Sequence, residues 1–106
     1  VLSYYKLAEE EGAEVLHGGG APVFGDERDG GSWVEPTIWK GLAHNSRVAS
    51  EEIFGPAVAL IPFTDEDDVI RLANDTKYGL AATFFTPDSS REDLTRAGHC
   101  RPHLAR

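Results

Sequence analysis

Between Gly55-Pro56 and Pro62-Phe63 runs an unbroken apolar stretch, Ala57-Val58-Ala59-Leu60-Ile61. Its length suits a strand, and its lack of polar alternation suits one buried on both faces, as in a parallel sheet with helices outside. The next segment narrows the choice. Thr64 is a good N-cap, and Asp65, Glu66, Asp67 and Asp68 load the first turn with the negative charge that a helix N-terminus favours. Glu66, Val69, Ile70 and Ala73 repeat at helical spacing with Leu72 beside them, and Tyr78-Gly79 ends the pattern. A second apolar run, Leu80-Ala81-Ala82-Thr83-Phe84-Phe85-Thr86, completes strand, helix, strand. This predicts a right-handed β-α-β unit, with strands 57–61 and 81–86 parallel and joined by a helix over 65–75. The expected fold class is α/β, a mostly parallel sheet flanked by helices. The acidic cluster lacks the alternating spacing of a calcium loop, so it reads as capping.

Upstream, Val1, Tyr4, Tyr5 and Ala8 build one apolar helix face, with Glu9-Glu10-Glu11 solvated and Gly12 as the stop. Glu14-Val15-Leu16-His17 reads as a short strand, and residues 18–32 as a Gly-, Asp- and Pro-rich surface loop. Residues 32–39 read as extended chain. Pro36 removes a ladder donor there, which predicts an edge or bulged strand. Ser89-x-x-Glu92 is a capping box that opens a further helix.

Charge and cysteine usage exclude several function classes. Among 106 residues, 18 acids against 10 bases give a net charge of −8. With no basic stripe, nucleic acid is not an expected partner. No apolar run is long enough to cross a bilayer, so no membrane partner is expected either. The single cysteine, Cys100, permits no internal disulfide framework. The opening residues lack the charged and apolar regions of a signal peptide, and the expected location is cytoplasmic. The chain begins with Val and contains no Met, so a piece cut from something longer is the expectation.

Candidate chemistry is sparse. His99, Cys100 and His103 could be drawn as zinc ligands, and His and Arg neighbours could activate the thiol. No second cysteine pair supports the metal, and Pro102 breaks the helix that would align the ligands, so a polar tail is the reading and no metal site is expected. There is no Gly-x-Ser-x-Gly elbow and no phosphate-binding glycine loop. The loop 46–56 is more informative. Its paired acids, Glu51 and Glu52, precede Ile53-Phe54-Gly55-Pro56 and then the apolar strand. A glutamate in such a loop can accept from two hydroxyls, as of a ribose diol, and an adjacent aromatic can cover a flat ring. The plain alternative is a surface turn with hydrated acids.

Glu51-Glu52-Ile53-Phe54-Gly55-Pro56 resembles the EEIFGP signature of the NAD(P)-dependent aldehyde dehydrogenase superfamily. The flanks agree in order: Val34-Glu35-Pro36-Thr37-Ile38, Ser46-Arg47-Val48-Ala49, Ile61-Pro62-Phe63, and Ala73-Asn74-Asp75-Thr76-Lys77-Tyr78-Gly79-Leu80. The resemblance covers residues 1–90, read as part of a catalytic domain, with 91–106 as a divergent tail. It implies NAD or NADP as cofactor, a small aldehyde as substrate, and a homo-oligomeric full-length protein. It implies that Glu52 grips the nicotinamide-ribose hydroxyls and that Phe54 packs by the nicotinamide end. Glu51, its side chain turned another way, is expected to tolerate substitution.

The family's nucleophilic cysteine, general base and dinucleotide-binding domain precede the signature. Cys100 lies after it, so the resemblance assigns no catalytic residue to this chain and predicts that the isolated fragment is inactive. The tail from Ala97 departs from the family's pattern, as a frame error or early stop would make it do. An interaction module with an idle nucleotide loop and a non-functional truncation product are the competing readings.

Overall fold

The apolar spacing at the start of the chain builds α1, Leu2–Glu10, which sends Tyr5 and Ala8 into the interior. The computed structural model describes residues 1–83 and 85–88. Gly12 terminates α1 as expected. Its φ of +84° lets Gly12 donate to the Glu9 carbonyl (3.1 Å) and Ala13 to the Ala8 carbonyl (2.9 Å), the paired bonds of a Schellman ending.

The chain divides into two compact units, Val1–Pro62 and Phe63–Arg106. The first holds a three-stranded sheet in the order β1-β2-β3. β1, Glu14–His17, pairs antiparallel with β2, Thr37–Lys40, with a register shift between Val15 and His17. β3, Ala57–Leu60, runs parallel to β2, with Thr37 opposite Ala57 and Lys40 opposite Leu60. The class is α/β. The edge or bulged strand anticipated over residues 32–39 is instead the central strand; it starts one residue after the proline, and the irregularity in its ladder with β1 falls at Val15/His17. Pro36 therefore lies outside the ladder, where its missing N–H costs nothing. The Thr37 N–H, the first of the strand, donates to the Pro56 carbonyl at 2.8 Å.

Tyr5 and Ala8 from α1, Trp39 from β2, Leu42, and Val48 from a short helix α2, Arg47–Ser50, form the core. Ala57 and Ala59 pack against it while Val58 and Leu60 stay 54% and 51% exposed. β3 is thus buried in alternation, not on both faces, because α1 and α2 cover a single side of it. The loop after β1 organises itself: the Asp29 carboxylate accepts from the Phe24 and Gly25 amides at 2.8 and 2.9 Å, and Trp33 Nε1 donates to the Arg28 carbonyl at 2.8 Å.

In the second unit, α3 spans Glu66–Asn74. Asp65, not Thr64, is its cap, accepting from the Asp68 amide at 2.8 Å, while the Asp68 carboxylate accepts from the Thr64 amide at 3.1 Å. The extra residue arises because Asp68 reaches back beyond the cap, so Thr64 becomes a donor in a reciprocal box. The strand expected at 81–86 is not formed: residues 81–83 and 85–86 belong to no ladder, and Phe84 lies outside the described residues. Apolar character alone does not make a strand without a paired neighbour. The helix expected from Ser89 also lies outside the described residues.

Candidate nicotinamide-ribose loop

Ser46 precedes helix α2, and its hydroxyl caps the helix by accepting from the Ala49 amide at 3.3 Å. A second cap comes from far away in sequence. The Glu11 carboxylate accepts from the Arg47 amide at 3.0 Å and the Val48 amide at 3.1 Å, tying the end of α1 to the start of α2. Glu11 is therefore not simply a solvated acid: it satisfies N–H groups that a short helix leaves without internal partners.

The paired acids after α2 have different surroundings. Glu51 Oε2 accepts from the Tyr4 hydroxyl at 2.9 Å, and Arg47 donates from Nε to Oε1 at 2.8 Å and from Nη2 to Oε2 at 3.2 Å. The Arg47 guanidinium is held above its usual pKa, first by this hydrogen bond and then by the Glu51 charge. Glu52 is exposed and carries none of these bonds. Ile53 turns back towards the core. Phe54 then adopts φ +57°, the left-handed region that a bulky side chain avoids, and the residue is 88% exposed. Gly55 approaches the chain start so closely that a Cβ there would lie 2.8 Å from the Val1 methyl carbons.

These residues line a recess of about 330 Å³, whose walls include Val48, Glu51, Glu52, Ile53, Phe54 and Ala59. Both residues singled out in the sequence, Glu52 and Phe54, therefore reach the same recess. The sequence alone does not connect Tyr4, Glu11 or Arg47 with it. The Arg47–Glu51 spacing of four is a readable signal, since such pairs adjoin on a helix. Nothing local announces Tyr4 or Glu11, whose partners lie 47 and 36 positions on. Among the described residues no three His, Cys, Asp or Glu side chains gather as metal ligands. No helix among them is long and apolar enough to cross a membrane. His99, Cys100 and His103 lie outside the described residues.

Comparison with known proteins bears on this geometry. The 2-aminomuconic 6-semialdehyde dehydrogenase of a Pseudomonas species is 57% identical over 102 residues, covering 92% of this chain and 21% of that protein. A 2-hydroxymuconic semialdehyde dehydrogenase from Pseudomonas sp. strain CF600 is 53% identical over 91 residues, covering 86% of this chain and 19% of that protein. The chain thus spans about a fifth of these relatives' length. Among solved structures, the P. syringae indole-3-acetaldehyde dehydrogenase in complex with NAD+ superposes with a TM-score of 0.82 at 40% identity, over 91% of this chain and 19% of that one. The model of the aldehyde dehydrogenase family matches residues 1–97, and the chain belongs to that family.

Proposed function

We propose that this chain is the part of an NAD(P)-dependent aldehyde dehydrogenase catalytic domain that holds the nicotinamide ribose. In this reading Glu52 accepts from the ribose hydroxyls and Phe54 packs by the nicotinamide end. The observation that carries it is the contrast between adjacent acids: Glu51 is occupied by Tyr4 and Arg47, while Glu52 is presented at the recess beside Phe54. An ionised carboxylate offers only acceptors, the complement of a diol. The acceptor chemistry of the loop therefore fits a ribose. The dinucleotide, when bound, supplies the hydride acceptor for oxidation of an aldehyde to a carboxylate. The chain's own contribution is to fix the sugar, and with it the ring, at one orientation.

The two Pseudomonas relatives are named for muconic semialdehydes, which supports a small semialdehyde as the substrate class. The same reading treats residues 1–90 as catalytic-domain sequence and 91–106 as a divergent tail, and takes the full-length protein to be a cytoplasmic homo-oligomer. It assigns neither the nucleophile nor the general base to these 106 residues.

The test is single-turnover oxidation of a deuterated aldehyde by a full-length enzyme carrying this segment. A neutral amide in place of Glu52 loses charge assistance and adds an unwanted donor. Glu52→Gln is expected to slow hydride transfer roughly three- to tenfold, with a larger isotope effect. An unchanged rate and isotope effect would return Glu52 to the hydrated turn acids.

A further inference from the structure

The segment that presents Glu52 and Phe54 is anchored at both ends and at few points between. At its far end the Pro56 carbonyl accepts from the Thr37 amide of β2 at 2.8 Å. At its near end the Glu51 amide donates to the Arg47 carbonyl at 2.8 Å, and the Glu51 carboxylate is gripped by Arg47 and by Tyr4 of α1. The grip has its own support. Arg47 begins α2, and its amide is held by Glu11 at the end of α1, so both holders of Glu51 belong to one braced pair of helices. Between the anchors the chain carries Phe54 at φ +57°, a conformation that a free loop would leave.

We propose that Glu51 is a positioning residue for Glu52, held by the Tyr4 hydroxyl and the Arg47 guanidinium. This rests on the ribose reading of Glu52. The Glu51 carboxylate stops the chain from rotating as it leaves α2, so the next side chain projects into the recess. Charge-assisted bonds from a forked guanidinium are directional enough to do this, where one neutral bond would leave the carboxylate free to swing. Glu51 therefore does not tolerate amide substitution in the manner the sequence suggests, because it acts through the placement of Glu52.

The test compares Tyr4→Phe, Glu51→Gln, their double variant and Glu52→Gln in a full-length enzyme carrying the segment. The readouts are the single-turnover isotope effect, the KM values for dinucleotide and aldehyde, and the thermal midpoint. Tyr4→Phe and Glu51→Gln should each slow hydride transfer roughly three- to tenfold and enlarge the isotope effect, with the aldehyde KM unchanged. The double variant should be little slower than the worse single one, because both remove the same restraint. A merely structural role would lower the thermal midpoint and leave the isotope effect alone; that result overturns the proposal. If Glu52→Gln is impaired while Tyr4→Phe and Glu51→Gln match the unsubstituted enzyme, the positioning role fails and the ribose reading stands. If Glu52→Gln is itself unimpaired, the ribose reading fails and takes this proposal with it. Should Glu51→Gln not fold, Tyr4→Phe removes a single hydroxyl from a half-buried ring and decides the matter alone.

Discussion

The Tyr5 ring meets the Trp39 indole edge to face, with centroids 5.3 Å apart and planes at 88°. Trp39 is 1% exposed and Tyr5 3%, and the Tyr5 hydroxyl escapes the apolar interior by donating to the Glu35 carbonyl at 2.7 Å. The pair joins α1 to the central strand, so the helix that carries Tyr4 is set by it. Trp39→Ala should cost about 3–5 kcal/mol, the range for deleting a buried aromatic. Tyr5→Phe keeps the ring contact and loses the hydroxyl bond, which should cost about 0.5–1.5 kcal/mol because the half-buried Glu35 carbonyl keeps the Thr37 hydroxyl as a second donor at 2.9 Å. Denaturant unfolding of a full-length enzyme carrying the segment measures both, and a double variant should fall short of the sum of the singles.

Phe54 supplies a prediction in which stability and activity part. A left-handed conformation costs a non-glycine residue of the order of 1 kcal/mol, and the exposed ring returns little burial energy. Phe54→Gly should leave the thermal midpoint unchanged or raise it and, on the proposed reading in which Phe54 packs by the nicotinamide, should slow hydride transfer through loss of that ring. Phe54→Ala keeps the strain and loses the ring, so it should be slow without the gain in stability. A Phe54→Gly enzyme as fast as the unsubstituted one would show that the aromatic is incidental.

Legibility in the sequence tracks the range of the interaction. α1 and its glycine stop, β1 and the core of β3 are readable because period, length and terminators all lie within a few residues. That Glu52 and Phe54 meet at one recess is readable because the signature that contains them is contiguous. Helix α2 is not, since four residues carry too little periodicity to register. Pro36 misleads because a proline beside a strand and a proline within one look alike until the register is known. The run 80–86 shows that apolar composition states what would gain from burial and not what is available to cover it. Tyr4 and Glu11 are invisible for a different reason: their partners are brought close only by the packing of α1 against α2.

The capping of α3 makes its stability depend on pH in one direction. Asp68 has its carboxyl held below the ordinary value of 3.8, first by hydrogen bonding from Arg71 and then by the Thr64 amide. A depressed folded-state value means that the unfolded chain binds the proton more readily. The contribution is therefore present in full above the ordinary value and disappears as the pH falls below 3.8 towards the folded-state value. Asp68→Asn should remove this part of the acid dependence, and carboxyl chemical shifts tracked between neutral and acid pH measure it directly. A midpoint for Asp68 at or above the free-aspartate value would contradict the assignment. Since the group is solvated, salt should weaken the effect.

The last prediction concerns the 106 residues on their own. β3 is hydrogen-bonded to β2 and is otherwise a sheet edge among the described residues, with Val58 and Leu60 half exposed. Phe63, Leu80 and Phe85 are 57%, 100% and 95% exposed. Open strand edges and apolar surface are the conditions for self-association, and a core of this size leaves little stability in reserve. The isolated chain should therefore sediment as a concentration-dependent mixture and melt without a sharp transition. A monomer with a reversible melt above about 60 °C would contradict this. On the proposed reading, in which these residues hold a ribose and supply neither nucleophile nor general base, the same sample should form no NADH from an aldehyde and NAD+, because the rate factors of covalent and acid–base catalysis are then missing. Turnover that survives Cys100→Ala would mean that other residues of this chain perform the chemistry. Turnover abolished by that substitution would make Cys100 a nucleophile.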